Sequence, residues 1–223
     1  EARVPAESDA APRKPWWQGW LDAFKAYRHP RVLAMLFLGF SAGLPFMLVF
    51  STLSAWLREV GIERATIGML SWVGIIYSIK FFWAPVVDRL KLPLFHRLLG
   101  RRRSWMLLAQ AGIAIGLFNM AHLNPVGHLG AMAALALLVA FSSATQDVAI
   151  DAWRIEIADN KEELGLLTSG TQIGYRSALL VTDALILILA TYIGWALSYW
   201  VMALLIGAGI LAALFLAREP AAS

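Results

Sequence analysis

Residues 130–157 read GAMAALALLVAFSSATQDVAIDAWRIEI. The first half of this stretch is apolar enough to enter a bilayer, but the second half carries Asp147, Asp151 and Arg154 at helical spacing, on one face. An ionisable side chain in hydrocarbon is costly unless it meets a partner or a hydrated cavity. The stretch therefore predicts a transmembrane helix whose charged face borders a substrate or ion path.

The whole chain has the composition of a polytopic membrane protein. Hydrophobic residues make up 59% and charged residues 15% of its 223 positions, whereas soluble domains carry about a quarter charged residues. A spanning helix needs about 20 apolar residues. An all-α fold is predicted in which residues 31–217 form six transmembrane helices. These spans are Val32–Leu57, Ile67–Trp83, Trp105–Ala121, Gly130–Ile157, Leu164–Tyr192 and Trp195–Leu216. The second and third are short and are expected to extend into their flanks.

Basic residues set the expected orientation. Most of the 19 Lys and Arg residues precede the first span, follow the second and fourth spans, or lie at the C-terminus, whereas the opposite side has Arg58 and Arg64. Because basic loops stay in the cytoplasm, both termini are expected to be cytoplasmic. Long apolar spans separate the basic clusters, so the net charge of +4 does not indicate a nucleic-acid partner.

The two ends of the chain differ in character from its middle. Residues 1–15 predict a disordered polar tail. Residues 16–30 interleave aromatic and basic side chains, which favours an amphipathic helix in the headgroup layer of the membrane, with a short solvent helix as the alternative. Residues 218–223 are expected to begin a central cytoplasmic loop.

The sequence offers no pattern for a metal site, a serine or thiol nucleophile, or ATP hydrolysis. It has no cysteine, its four histidines are scattered near loops, and it contains no phosphate-binding loop or GxSxG sequence. We therefore expect no metal, no cofactor and no enzymatic activity.

Charged residues in the second and fourth spans are candidates for function. Lys80 either reaches the membrane interface with its long side chain or anchors an anionic substrate group. Two carboxylates one turn apart repel each other in a low dielectric, so a cation or a proton must compensate. Arg154 lies three residues from Asp151, which predicts a structural ion pair. Asp147 is then the proton-carrier candidate, with a helix–helix hydrogen bond as the alternative.

The fifth span places Thr168, Gln172, Arg176 and Asp183 on one face, with Tyr175 beside them. Arg176 lies near the middle of the membrane, too deep to reach water easily. It therefore needs an acidic partner, for which Asp183 and Asp147 are the candidates, or carbonyls or water. A buried ion pair that fixes packing alone is the alternative.

Small residues mark close contacts between helices. Gly39 and Gly43 in the first span allow a neighbouring backbone to approach, and Pro45 predicts a kink. This segment either packs against another helix or lines a cavity. Gly112 and Gly116 repeat the spacing in the third span, where packing is the favoured interpretation.

Four segments of the chain are distinctive in combination. The four segments are LGFSAGLPF (38–46), YSIKFFWAPVVDR (77–89), GRRRSWMLL (100–108) and ATQDVAIDAWR (144–154). Together they resemble the AmpG-type muropeptide permeases of the major facilitator superfamily. The resemblance runs from about Trp16 to the C-terminus. It implies the N-terminal half of a twelve-helix fold in the bacterial inner membrane, completed by a missing C-terminal half.

The same resemblance implies a function. Such permeases import anhydro-muropeptides, GlcNAc-anhydroMurNAc with stem peptides, for cell-wall recycling and β-lactamase induction, and the import is thought to be proton-driven. Facilitator sites lie between the two halves, so this half alone is not expected to transport. The residues assigned to substrate binding are Lys80, Gln146, Gln172, Tyr175 and Arg176, and those assigned to proton coupling are Asp147 and Asp183.

The resemblance also implies a cytoplasmic latch that gates the helix ends. Superfamily members carry GxxxDRxGRR between the second and third spans; here Ala84 replaces the first glycine and ten residues separate Arg89 from Gly100. The residues assigned to gating or structure are Gly39, Gly43, Pro45, Asp88, Arg89, Arg101, Asp151 and Arg154.

Three other functions fit parts of the pattern. A facilitator for another anion such as acetyl-CoA would keep the same fold. A membrane receptor or scaffold explains the basic loops but not the buried charges. An intramembrane aspartyl hydrolase would use Asp147 and Asp183, but their expected depths differ too much for a dyad.

Overall fold

The computed structural model describes residues 25–92 and 96–218. The predicted tail (1–15), most of the predicted interfacial helix (16–30) and residues 219–223 lie outside the described residues. The described part is helical and contains no strand, so the predicted all-α fold is confirmed. The α-helices are α1 (Pro30–Val49), α2 (Ser51–Glu59), α3 (Arg64–Leu70), α4 (Gly74–Ser78), α5 (Ala84–Arg89), α6 (His96–Leu99), α7 (Arg101–His122), α8 (Leu129–Ile157), α9 (Lys161–Leu180) and α10 (Ile186–Leu211).

The first predicted span is two helices. Pro30 occupies the first turn of α1, where its missing N–H has no partner to lose. The helix continues through Pro45 to Val49, and the dihedral angles break at Phe50 (φ −109°, ψ −92°), after the proline. After this break, α2 places Trp56 against the Tyr199 ring, with 5.0 Å between the ring centroids.

The second predicted span is divided into short pieces. The 3₁₀ segments Ser71–Val73 and Lys80–Phe82 alternate with α3, α4 and α5. Pro85 falls in the first turn of α5 and cannot donate to the turn before it, which favours a new helix start at this point. The whole stretch Arg64–Phe82 is apolar enough to cross a membrane, but it is not one regular helix.

Helix α1 lies at the centre of the bundle and packs most extensively on α9. A Cβ added at Gly43 would stand 2.7 Å from the Tyr175 carbonyl oxygen, and one at Gly39 would overlap the Thr171 carbonyl oxygen. Gly174 of α9 faces the backbone of α1 in the same way. The small residues of α1 therefore allow direct backbone contact between these two helices.

Helices α7 and α8 form a second close pair. A Cβ at Gly112 would overlap the Ser142 side chain, and a Cβ at Gly116 would overlap that of Val139. The packing interpretation of this second glycine pair is therefore confirmed.

The last apolar stretch, Lys161–Leu216, is 56 residues long and is interrupted at Gly194, whose φ of 80° and ψ of 165° are not helical. A positive φ of this size is readily adopted by glycine alone. Two π-helical segments, Val181–Leu185 and Ala212–Leu216, lie within it. Five apolar helical stretches of the described chain are long enough to cross a membrane; the six transmembrane helices stay a prediction.

Candidate transport site

A cavity of about 260 Å³ opens between α1, α8 and α9. Helix α8 contributes its charged face to the wall, and α9 contributes hydroxyl, amide and phenol groups. Six residues singled out from the sequence thus line one cavity, although they come from two helices. The lining residues are Ala42, Asp147, Ile150, Asp151, Arg154, Thr168, Thr171, Gln172 and Tyr175.

Asp147 is paired with Lys80. Lys80 Nζ lies 3.5 Å from Asp147 Oδ2, and the two side chains are 37% and 22% exposed. The 3₁₀ segment that carries Lys80 is held beside α8 by Trp83, whose Nε1 donates to Thr145 Oγ1 at 3.2 Å. The ammonium group is thus turned towards a carboxylate on the neighbouring helix, and each charge compensates the other.

Asp151 and Arg154 form the ion pair that their spacing predicted. Arg154 Nη2 lies 3.0 Å from Asp151 Oδ1, and the side chains are 17% and 52% exposed. Both residues line the cavity; along α8, Asp151 lies about one turn beyond Asp147 and Arg154 nearly two turns beyond it. The pair is therefore part of the cavity wall.

Arg176 lies outside this group. Its side chain is exposed, and no ion pair or hydrogen bond joins it to a residue of the described ranges. The two predicted partnerships are wrong, because Asp147 pairs with Lys80 and Asp183 accepts a hydrogen bond from Ser51 Oγ at 3.4 Å. Helix α9 turns its glycine face to α1, and Arg176 projects elsewhere.

Asp183 belongs to a second, smaller cavity of about 110 Å³. It lies in the π-helical segment after α9, where the wider turn changes the direction of later side chains relative to an α-helix. Asp147 and Asp183 therefore line different cavities, and the hydrolase dyad is not assembled in this structure. The smaller cavity is lined by Ser51, Thr52, Ala55, Thr182, Asp183 and Leu187.

Gln146 is fully buried and faces α1. Its Oε1 accepts a hydrogen bond from Ser41 Oγ at 3.1 Å. In this conformation the amide is not among the groups that line the 260 Å³ cavity. Its role in substrate binding stays a prediction.

A charge network joins the ends of α5, α7 and α8. Arg102 Nη1 lies 2.7 Å from Asp88 Oδ1, and Arg102 also pairs with Glu156, which Arg101 approaches to 3.3 Å. The Arg102 side chain is 6% exposed. Arg89 is exposed and makes no ion pair within the described ranges. Asp88 and Arg101 thus belong to a helix-end network, but its central residue is Arg102.

Sequence reasoning missed Arg102, Glu156 and a second network around Arg31. Arg31 Nη1 donates to the Ile157 carbonyl oxygen (3.1 Å) and to the Asp159 (3.0 Å) and Glu163 (2.9 Å) carboxylates. Arg102 stands within a run of three arginines, and nothing local distinguishes the one that bridges Asp88 and Glu156. A basic residue at the start of α1 is equally expected from the cytoplasmic location of basic loops, so the sequence did not mark Arg31 as an ion-pair partner.

The profile of the Major Facilitator Superfamily matches residues 35–223. The chain belongs to this superfamily. As a member, it is a multi-pass membrane protein of a transporter fold, and the apolar helical stretches described above are its membrane-spanning part.

Individual superfamily relatives agree with the resemblance stated from the sequence. The chain is 41% identical over 197 residues to the anhydromuropeptide permease of Escherichia coli strain K12, covering 88% of this chain and 39% of the relative. It is 37% identical over 184 residues to the putative transporter AmpG 4 of Rickettsia conorii, covering 81% and 44%. An uncharacterized protein of Haemophilus influenzae is 41% identical over 190 residues, covering 85% and 44%. The AmpG-type resemblance is confirmed, and the chain spans about two fifths of the length of these relatives.

Proposed function

We propose that this superfamily member is part of a proton-coupled importer of anhydromuropeptides. The observation that carries the proposal is the Lys80–Asp147 ion pair beside a polar cavity, in a chain 41% identical to a protein named anhydromuropeptide permease. The cavity walls supply hydrogen-bonding groups, Gln172 and Tyr175 among them, that suit a sugar or peptide.

The ion pair suggests how a proton and an anionic cargo are coupled. Lys80 needs one negative partner at this depth, since an unpaired charge in the membrane interior is costly. While Asp147 is ionised it supplies that partner; once Asp147 takes a proton, Lys80 is free to bind a carboxylate of the cargo. Proton and cargo therefore bind in the same half of the cycle, and the return of the empty carrier restores the ion pair.

Arg176 fits this scheme as a second anchor on the exposed side of α9. Its guanidinium group is suited to bind a carboxylate through two hydrogen bonds. We infer that a further six-helix half covers this side and closes the transport path, because facilitator sites form between two halves. The proposed setting is the bacterial inner membrane, with both termini cytoplasmic and lipid around the outer faces.

The proposal is tested by uptake into membrane vesicles from cells that express the protein from its own gene. Asp147→Asn keeps a hydrogen-bonding side chain but cannot carry a proton. We expect this variant to lose accumulation of labelled anhydromuropeptide against a gradient and to keep exchange of internal for external cargo. Glu162→Gln removes an exposed carboxylate outside the cavity and is the matched control.

Accumulation by Asp147→Asn at the wild-type level would remove Asp147 from the proton path. Competition identifies the cargo: unlabelled anhydromuropeptide should block uptake, and acetyl-CoA in excess should not. The reverse result would favour the alternative anionic cargo on the same fold.

A further inference from the structure

The Asp151–Arg154 ion pair has no part in holding the bundle together. Both residues belong to α8, so the pair joins no two helices, unlike the pairs of Arg102 with α5 and of Arg31 with α9. An ion pair three residues apart on one helix stabilises it by only about 0.2–0.5 kcal/mol. Opening this pair is therefore inexpensive, provided that both charges find new partners.

The surroundings of the pair offer room for such partners. Its two charges line the 260 Å³ cavity with the Thr168 and Gln172 side chains of α9. Sites that enclose a whole ligand hold roughly 300–1,000 Å³, so this cavity suits one end of a larger molecule. Asp151 is about half exposed, which leaves its carboxylate accessible from the cavity side.

We propose that Asp151 and Arg154 form a subsite for the free amino-acid end of a peptide cargo. Asp151 accepts hydrogen bonds from the cargo ammonium group, and Arg154 binds the neighbouring carboxylate with its planar donor groups. This assignment rests on the proposed import function, and it replaces the structural role that the sequence suggested for the pair.

Charge balance explains the selectivity of such a subsite. A zwitterion replaces one internal ion pair with two ion pairs to the cargo, so no charge is left alone. A simple anion would leave Asp151 without a partner, and a simple cation would leave Arg154 without one, at a cost in the low dielectric of the cavity. The subsite therefore recognises the two charges together.

The subsite is separate from the proposed proton carrier. Asp151 follows Asp147 by four residues, which is about 6 Å along a helix. Changes at Asp151 or Arg154 should alter recognition of the peptide end more than the handling of the sugar, although a change of charge at Asp151 also acts on Asp147 one turn away.

The test compares three labelled cargoes in vesicles from cells that express the protein from its own gene. They are the anhydro-disaccharide without peptide, the disaccharide-peptide with a free amino-acid end, and the same peptide with that amine acetylated. The wild-type protein should take up the free form about tenfold faster than the acetylated form at limiting concentration, as expected for the loss of a charge-assisted hydrogen bond. Asp151→Asn and Arg154→Gln should abolish this difference and should reduce disaccharide uptake less than uptake of the free peptide form.

Glu162→Gln, an exposed acidic residue at the start of α9, is the matched control and should keep the preference. Arg154→Lys keeps the charge and should keep part of the preference, which covers the case that Arg154→Gln does not fold. The subsite is refuted if the wild-type protein does not distinguish the peptides, if Asp151→Asn still does, or if the variants lose all cargoes equally.

A separate measurement keeps the subsite testable if the import proposal fails. Should the wild-type protein take up no disaccharide, thermal stabilisation of the purified protein by the free and acetylated peptides decides the question. Stabilisation by the free peptide alone, lost in Asp151→Asn, supports the subsite; equal or absent stabilisation overturns it.

Discussion

Replacing Gly43 with alanine tests the direct contact between α1 and α9. The added Cβ would stand 2.7 Å from the Tyr175 carbonyl oxygen and 2.8 Å from Ala178 Cβ, whereas ordinary contact begins at 3.4 Å. The two helices must therefore separate by about 0.7 Å at this point. One of the obstructing atoms belongs to the backbone, so a side-chain rotation cannot relieve the clash.

The size of the effect follows from two opposing terms. Overpacking a well-packed interface costs roughly 1–3 kcal/mol. Removing a glycine from the interior of a helix returns about 0.5–1 kcal/mol. We therefore expect the free energy of unfolding to fall by about 1–2 kcal/mol in Gly43→Ala. Gly207→Ala in α10 is the control, because an added Cβ there meets no atom within 4 Å.

The assay is unfolding by SDS in mixed micelles, followed by the fluorescence of the tryptophans. Gly43→Ala should unfold at a lower SDS fraction than the wild-type protein, and Gly207→Ala should unfold at the same or a higher one. Equal stability of Gly43→Ala and Gly207→Ala would refute the backbone contact between α1 and α9.

Two further predictions concern the helix ends and the orientation. Arg102→Gln leaves the Asp88 and Glu156 carboxylates without their buried partner, so it should lower the free energy of unfolding by roughly 2 kcal/mol. The control Arg89→Gln changes an exposed side chain and should alter the free energy of unfolding by no more than about 0.5 kcal/mol. Equal effects of the two variants in the SDS assay would show that Arg102 is not the centre of the network. Because the chain has no cysteine, single introduced cysteines report its orientation in the membrane. In intact spheroplasts, a membrane-impermeant maleimide should label Arg58→Cys and should not label Arg89→Cys. The opposite labelling pattern would reverse the proposed topology.

Local features of the chain were predictable because they depend on residues close in sequence. The Asp151–Arg154 ion pair follows from a three-residue spacing on one helix, and it forms at 3.0 Å. The break at Gly194 lies in the two-residue gap between the predicted fifth and sixth spans, and glycine readily adopts the positive φ found there.

Partners on different helices were not predictable from spacing. The sequence offered Asp147 as a partner for Arg176, but the structure pairs Asp147 with Lys80 across two helices. That choice depends on how the short 3₁₀ segments of the second stretch approach α8, and no local pattern encodes the approach. The π-helical segment after α9, which carries Asp183 to a separate cavity, was likewise not predicted from the sequence.

The sequence by itself determined that this chain is an all-α membrane protein, because the length and apolarity of its stretches leave the backbone no other way to satisfy its hydrogen bonds in lipid. It also determined that charged side chains inside the apolar stretches, Asp147 among them, need compensation. The tertiary structure alone decided how they are compensated: Lys80 rather than Arg176 meets Asp147, and Arg102 rather than Arg89 or Arg101 bridges Asp88 and Glu156. The physical reason is that compensation of a charge requires a distance of a few ångströms, and helix packing sets that distance for residues far apart in the chain.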